Sequence, residues 1–322
     1  MLAVTVVLAL LAALSNATAS VLQRRAAVQE PDEGGGAGSA VRRFIRLLRR
    51  PYWLAGVGLL AVSGVLQAGA LATGSLSLVQ PLLTAELLFT LGVGSLIFRR
   101  RPERRTWLAF VALAAGLVLF LLAASPAAGR STALPRDWLM AGGGVLVAVV
   151  LLVAVAHPLK GAPRAALLGL ASAVCFATTA ALLKEAVGQL GQGITVMFSH
   201  WSPYATACVG FVAFLLLQSA LEAGSLTASQ PALTLGDALT SVVLGSVLFA
   251  ESIHLGLRVL PELIGIALIG TGSVGLAHVA SMGTEWDEPA GDLPPGGSGE
   301  RAQTAREYGP GSAESRRTEE GG

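Results

Sequence analysis

The sequence predicts an all-α integral membrane protein with about nine transmembrane helices in two inverted-topology repeats, five helices followed by four. Three observations lead there. Hydrophobic residues make up 53% of the 322 and charged residues only 13%, against roughly a quarter charged in soluble domains. The apolar residues gather into nine stretches, each near the roughly 20 residues that cross a bilayer. One stretch also occurs twice, as Gly74–Phe98 (GSLSLVQPLLTAELLFTLGVGSLIF) and Gly224–Phe249 (GSLTASQPALTLGDALTSVVLGSVLF).

The first span, Leu2–Leu22, has no basic residue before it, and Arg24 and Arg25 follow it. A cleavable signal peptide has the opposite charge order, so a retained helix with its N-terminus outside is expected. Glu30–Ala40 is Gly-rich and reads as a linker. Val41–Arg50 (VRRFIRLLRR) interleaves apolar and basic residues. It suits a short helix lying on the anionic inner leaflet, or a charged loop that only sets topology. The further spans are Tyr52–Ala72, Leu76–Phe98, Trp107–Ala124, Trp138–Ala156, Ala165–Lys184, Trp201–Leu221, Leu226–Phe249 and Leu260–Ala280. Residues 283–322, rich in Gly, Pro and acids, are expected to form a disordered cytoplasmic tail.

Basic residues orient the stack. Arg24–Arg50, Arg99–Arg105 and His157–Arg164 hold seven, five and two Lys/Arg, and the opposite side holds four: Arg130, Arg136, Lys184 and Arg258. The expected location is the plasma membrane, multi-pass, with the N-terminus outside and the C-terminus cytoplasmic.

From Gly74 to Thr84 the two copies align at an offset of 150, with seven of eleven positions identical. One extra residue then enters the second copy; at offset 151, Gly94, Ser95 and Phe98 fall on Gly245, Ser246 and Phe249, and Glu86 falls on Asp237. Leu8, Leu10, Ala13, Ala17, Thr18, Leu22 and Ala26 match the second half at offset 160, and Leu66-Gln67 matches Leu217-Gln218. Spans one to four therefore pair with six to nine. A five-helix period inverts the second copy, which directs attention to a site between the halves near the midplane. The expected division is 1–158, including the basic loop 24–50, then 159–282, then the tail.

Val247-Leu248-Phe249-Ala250-Glu251, followed by the Gly-rich run Leu263–Gly272, resembles the ending of an EamA-type domain of the drug/metabolite transporter superfamily. With nine spans, Trp53–Gly56 and Leu78-Val79-Gln80-Pro81-Leu82, the chain is most similar to the NIPA-type magnesium-transporter branch. The resemblance covers roughly residues 1–280 and implies inverted five-helix repeats and transport. It departs at Phe98–Arg105, where arginines replace the acidic ending of the first repeat.

Glu86 and Asp237 fall near the middle of their spans. A carboxylate there costs about 2.5–3.5 kcal/mol on insertion scales and normally faces a cavity or partner. Either the two acids bind a proton or a cation, or they are protonated packing groups bonded to Thr84, Thr90, Thr234 or Thr240. Gln80-Pro81 and Gln230-Pro231 suit a locally broken helix whose carbonyls and amides line a cavity, or simply a proline near a helix start. Gln67 and Gln218 are further lining candidates. The repeated small residues Gly64, Ala68 and Ala72, and Gly169, Ala173, Ala177 and Ala181, suit close helix packing. His200, Trp201 and Tyr204 suit an interfacial anchor.

These features lead to a secondary transporter that moves a small solute or cation by alternating access. Ligands are expected at Glu86, Asp237, Gln80, Gln230, Thr84, Thr234, Gln67 and Gln218. A divalent cation such as Mg²⁺, the alternative that the resemblance raises, would use Glu86 and Asp237. A non-transporting membrane accessory protein is a second alternative. No Walker A, dinucleotide or nucleophile-elbow motif is present, the four histidines are scattered, and Cys175 and Cys208 lie in apolar helices. Enzymatic activity and a cofactor are therefore not expected. The formal net charge, 22 − 20 = +2, gives no reason to expect nucleic acid. The expected partners are the substrate, the anionic inner leaflet through Val41–Arg50, and a second copy in a homodimer.

Overall fold

The computed structural model describes residues 2–28, 50–98, 104–123, 129–223, 226–251 and 259–282. The Glu30–Ala40 linker, the basic stretch up to Arg49, Arg99–Glu103, Arg258 and the tail lie outside them. Among the described residues every regular element is a helix. In chain order these are α1 (Leu2–Val28), α2 (Pro51–Thr73), α3 (Leu76–Leu83), α4 (Glu86–Phe98), α5 (Arg104–Ala123), α6 (Pro135–Ala156) and α7 (Ala162–Gly188). A 3₁₀ turn at Leu190–Gln192 leads to α8 (Ile194–Ser199), α9 (Ser202–Ala223), α10 (Leu226–Phe249) and α11 (Val259–Met282).

Seven helical segments are long and apolar enough to cross a membrane, counting Leu76–Ile97 as one. The fourth and ninth expected spans hold shorter apolar helices, Thr106–Leu119 and Ile264–Gly275. The protein is thus an all-helical, multi-pass membrane protein. Prolines start several helices: Pro51 and Pro135 open α2 and α6, and Pro163 lies in the first turn of α7. A missing N–H costs nothing at those positions, because no carbonyl precedes it to bond.

The third expected span is not one helix. Pro81 cannot donate to the carbonyl four residues back, and its ring crowds that turn. Beyond it the ladder tightens: Thr84 N donates to Pro81 O at 3.2 Å and Ala85 N to Leu82 O at 3.0 Å. The Thr84 hydroxyl also donates to the Pro81 carbonyl, at 2.6 Å. α3 therefore ends at Leu83, and α4 begins at Glu86. In the second copy Thr234 Oγ1 bonds the Gln230 carbonyl at 3.0 Å, and α10 runs unbroken through Pro231.

α1 packs along α2 and α4, and α7 along α9 and α10, while α5 pairs with α11 and α3 packs on α10. One serine fixes each of the first two crossings. Ser63 Oγ on α2 donates to Ala12 O at 2.9 Å, and Ser172 Oγ on α7 donates to Ala213 O at 2.8 Å. Ala12 and Ser172 align at offset 160. α5 and α11 meet backbone to backbone: a Cβ added at Gly116 would lie 2.7 Å from Ile269 N, and one at Gly272 2.6 Å from Leu113 N. Of the two small-residue ladders only the second packs this way. Gly169, Ala173, Ala177 and Ala181 are buried, and a Cβ at Gly169 would lie 2.9 Å from Ser229 O on α10. Gly64 and Ala72 are exposed on α2, and a Cβ at Gly64 would meet nothing within 4 Å. The core around α3 joins Leu71, Leu76, Val79 and Leu82 to Leu244, Leu248 and Phe249.

Candidate functional site: acids inside the helix stack

Glu86 was expected inside a continuous helix and is instead the first residue of α4, directly after the break. Carboxylates are favoured at a helix N-terminus, where N–H groups have no intrahelical partner. Its hydrogen-bond donor is not one of the four threonines but Asn16 of α1, whose Nδ2 lies 2.6 Å from Glu86 Oε2. Thr84 directs its hydroxyl to the Pro81 carbonyl of α3, and Thr234 to the Gln230 carbonyl of its own helix.

Asp237 lies within α10, beside Gly236, where a Cβ would press on Leu170 and Ala173 of α7. Its Oδ1 is buried and has no hydrogen-bond partner. Ser241, one turn further on and fully buried, also has an unpartnered hydroxyl. Positions four apart share a helix face, so two unsatisfied oxygens stand together on one stripe of α10. Buried polar atoms are nearly always bonded, and each unmet one costs about 1–3 kcal/mol. The equivalent residues of the first copy, Glu86 and Thr90, are likewise four apart. Asn16, the partner of Glu86, aligns with Phe176, which has no polar group to offer.

The remaining candidates are spread over the same helices. Gln80 is buried in α3, four residues before the break, and Thr234 is buried in α10. Gln67, Thr84 and Gln230 are half-buried, while Gln218 is exposed on α9. Among the described residues no hydrogen bond or ion pair joins Glu86 to Asp237. α4 runs along α1, whereas α10 runs along α7, and it is α3 that meets α10.

A cavity of about 840 Å³ opens elsewhere, between α6, α7 and α9, and none of the eight candidate residues lines it. Its walls are mostly apolar. At one end Trp138 and Trp201 meet edge to face, with ring centres 5.3 Å apart. Glu185 accepts hydrogen bonds there from Ala133 N at 2.7 Å and Trp138 Nε1 at 3.3 Å. Trp201, expected as an interfacial anchor, is thus part of a polar-ended cluster.

Sequence reading missed the most heavily bonded polar group among the described residues. Lys184, read only as a charge at a helix end, is buried and lies 2.6 Å from Glu251 Oε1. The repeat alignment held a partial signal for it: at offset 151 Glu251 falls on Arg100, so the two copies differ in charge there, whereas Lys184 falls on Arg24 and keeps its charge. Asn16 and Ser241 also went unnoticed. A lone Asn or Ser in an apolar helix carries no pattern until its neighbours are known.

Fold and polar interior together define an α-helical multi-pass membrane protein with carboxylates inside its helix stack. The chain is similar to an uncharacterized protein of Corynebacterium glutamicum, 29% identical over 252 residues, which cover 76% of this chain and 84% of that protein. No protein-family profile matches the chain, and no solved structure matches it.

Proposed function

We propose that the protein is a secondary transporter of the drug/metabolite transporter type, carrying a small solute or cation by alternating access, in the plasma membrane with its N-terminus outside. The observation that carries this is the stripe of unpaired oxygens at Asp237 and Ser241 inside a membrane-length helix. Packing alone does not favour an acid there: apolar side chains fill the space at no desolvation cost. An acid that binds and releases a proton or a cation has reason to stay unpaired. Intramembrane ionisable groups mark ion and substrate pathways for this reason.

The interrupted third span supports the same reading. Discontinuous helices in transporters place half-helix ends and unwound backbone at the binding site, and irregular backbone at membrane depth is tolerated where it is buried or lines a cavity. Glu86 stands at such an end. The helix pairings follow the duplication, α1/α2 corresponding to α7/α9 and α3–α4 to α10, as two inverted repeats of five and four helices would pack. In this mechanism Asp237 and Glu86 couple movement to a proton or cation. Asn16, Ser241, Gln80 and Gln230 supply neutral ligands, and the Thr84–Ala85 turn flexes as one repeat rocks against the other.

The test is flux into and out of liposomes holding the purified protein, across Mg²⁺ and a panel of small metabolites, with and without a pH gradient. At least one solute should move faster than in protein-free liposomes. No flux for any of them would leave a membrane protein that packs but does not transport.

A further inference from the structure

The most completely bonded polar group among the described residues takes no part in the proposed binding chemistry. We propose that Lys184 and Glu251 form a latch that closes the transporter at one end of the helix stack, and that the aligned residues of the first copy do not repeat its charges. The inference rests on the transport reading and adds how the site is gated.

Both charges are buried, Lys184 to 5% exposure and Glu251 to 3%. Lys184 Nζ donates to Glu251 Oε1 at 2.6 Å and to the Gly74 carbonyl at 3.0 Å. Leu76 N donates to Oε1 at 2.6 Å, and Ser77 offers Oε2 its N–H at 3.0 Å and its hydroxyl at 2.5 Å. The carboxylate thus caps the N-terminus of α3 from a distant segment, just past the end of α10. Ala250, at φ 51, turns the chain so that Glu251 N can donate back to Gly245 O at 3.1 Å. The latch grips a short rod: α3 has eight residues and ends at the Thr84–Ala85 turn. One end of this rod is fastened by the ion pair and the other joins the one interrupted stretch in a described span. Releasing the pair frees the rod to pivot at the turn.

The duplication supplies an independent observation. At offset 160 Lys184 aligns with Arg24, and at offset 151 Glu251 aligns with Arg100. Two arginines repel where Lys and Glu attract. Gly245, whose missing side chain leaves room for the Glu251 carboxylate, aligns with Gly94, where a Cβ would meet nothing within 4 Å. Inverted repeats put equivalent ends on opposite membrane faces, so this ion pair is not repeated by the aligned residues of the other face. A contact present in only one of two states shifts the population toward that state. The resting protein is therefore closed at the Lys184 end.

The experiment places a single cysteine at Val79, buried on α3 below the latch, after Cys175 and Cys208 are replaced by alanine. A second protein carries its cysteine at Ala213, buried between α7 and α9. Sealed vesicles are labelled from each face with an impermeant thiol reagent. With the latch intact, labelling of position 79 from the Lys184 face should be slow. Glu251→Gln, and separately Lys184→Gln, should raise that rate at least tenfold and leave position 213 unchanged. Equal rises at both positions, no rise at 79, or fast labelling with the latch intact would overturn the proposal. So would failure of both variants to fold, since the pair would then be a staple of the fold. Flux in liposomes separates the two ideas: transport with unchanged labelling fails only the latch, and gated labelling without flux fails only the transport reading.

Discussion

Adding one methyl group at Gly245 should unfasten the Glu251 network without removing any of its polar atoms. A Cβ there would collide with Glu251 Oε2 and lie 2.6 Å from Ser77 Oγ. The carboxylate is the free end of a flexible side chain and can swing away. In doing so it leaves the Leu76 and Ser77 donors and separates from Lys184, which stays buried. Breaking a buried pair so that one charge is left uncompensated costs about 3–5 kcal/mol. Replacing glycine by alanine in a helix returns about 1 kcal/mol. The net loss is about 2–4 kcal/mol, and at about 2–4 °C per kcal/mol this lowers the melting temperature by roughly 4–16 °C. Gly94→Ala is the matched control: it sits at the equivalent position with nothing within 4 Å of the new methyl, and should leave stability unchanged or raise it slightly. The assay is thermal unfolding of both purified variants in one detergent at one scan rate, since membrane-protein melting is often irreversible. If Gly245→Ala melts with Gly94→Ala, the carboxylate is not held as described and the energetic reasoning fails.

Other perturbations address separate parts of the structure. Gly272→Val forces a side chain against Leu113 N at the α5–α11 crossing and should cost about 1–3 kcal/mol as overpacking, read as a lower melting temperature; wild-type stability would mean the two helices do not meet there. Deleting Pro289–Gly322 should leave folding and flux nearly unchanged, because a charged Gly/Pro-rich segment buries too little apolar surface; loss of expression would point to a partner-binding tail. Single cysteines at Arg46 and Arg130, in a protein without Cys175 and Cys208, should react with an impermeant reagent in intact cells only at 130; labelling at 46 would reverse the orientation.

Helix identity was legible because hydrophobic length largely decides it: seven of the nine expected spans fall on helical segments long and apolar enough to cross a membrane, the third of them divided into α3 and α4. The packing of α1 on α2 and of α7 on α9 was not read from the sequence, where the match at offset 160 only relates the first span to the sixth. The break in the third span was half legible. Pro81 and Pro231 look alike in sequence, yet only the first interrupts its helix. Thr84 bonds the carbonyl three residues back and Thr234 the one four back, and that choice depends on local winding that no residue type announces. That Glu86 and Asp237 lie within apolar, membrane-length segments was legible, but their neighbours were not. An acid's partner comes from another helix, and nothing in the α4 sequence names Asn16, 70 residues away. For the same reason Lys184 read only as a charge at a helix end. Its partner Glu251 is 67 residues distant, and the site between them exists only once α3 is in place.

The central claim is that Asp237 and Glu86 bind a mobile proton or cation during transport, and neutral isosteres test it most directly. Glu86→Gln and Asp237→Asn keep size and hydrogen-bonding capacity while removing the charge. The measurement is gradient-driven flux of the transported solute in liposomes, set beside each variant's melting temperature. Each single variant and the double variant should lose coupled flux and still melt near the wild type. Flux at the wild-type level in all three would contradict the assigned role, leaving the two acids as packing groups of an otherwise unchanged helix stack.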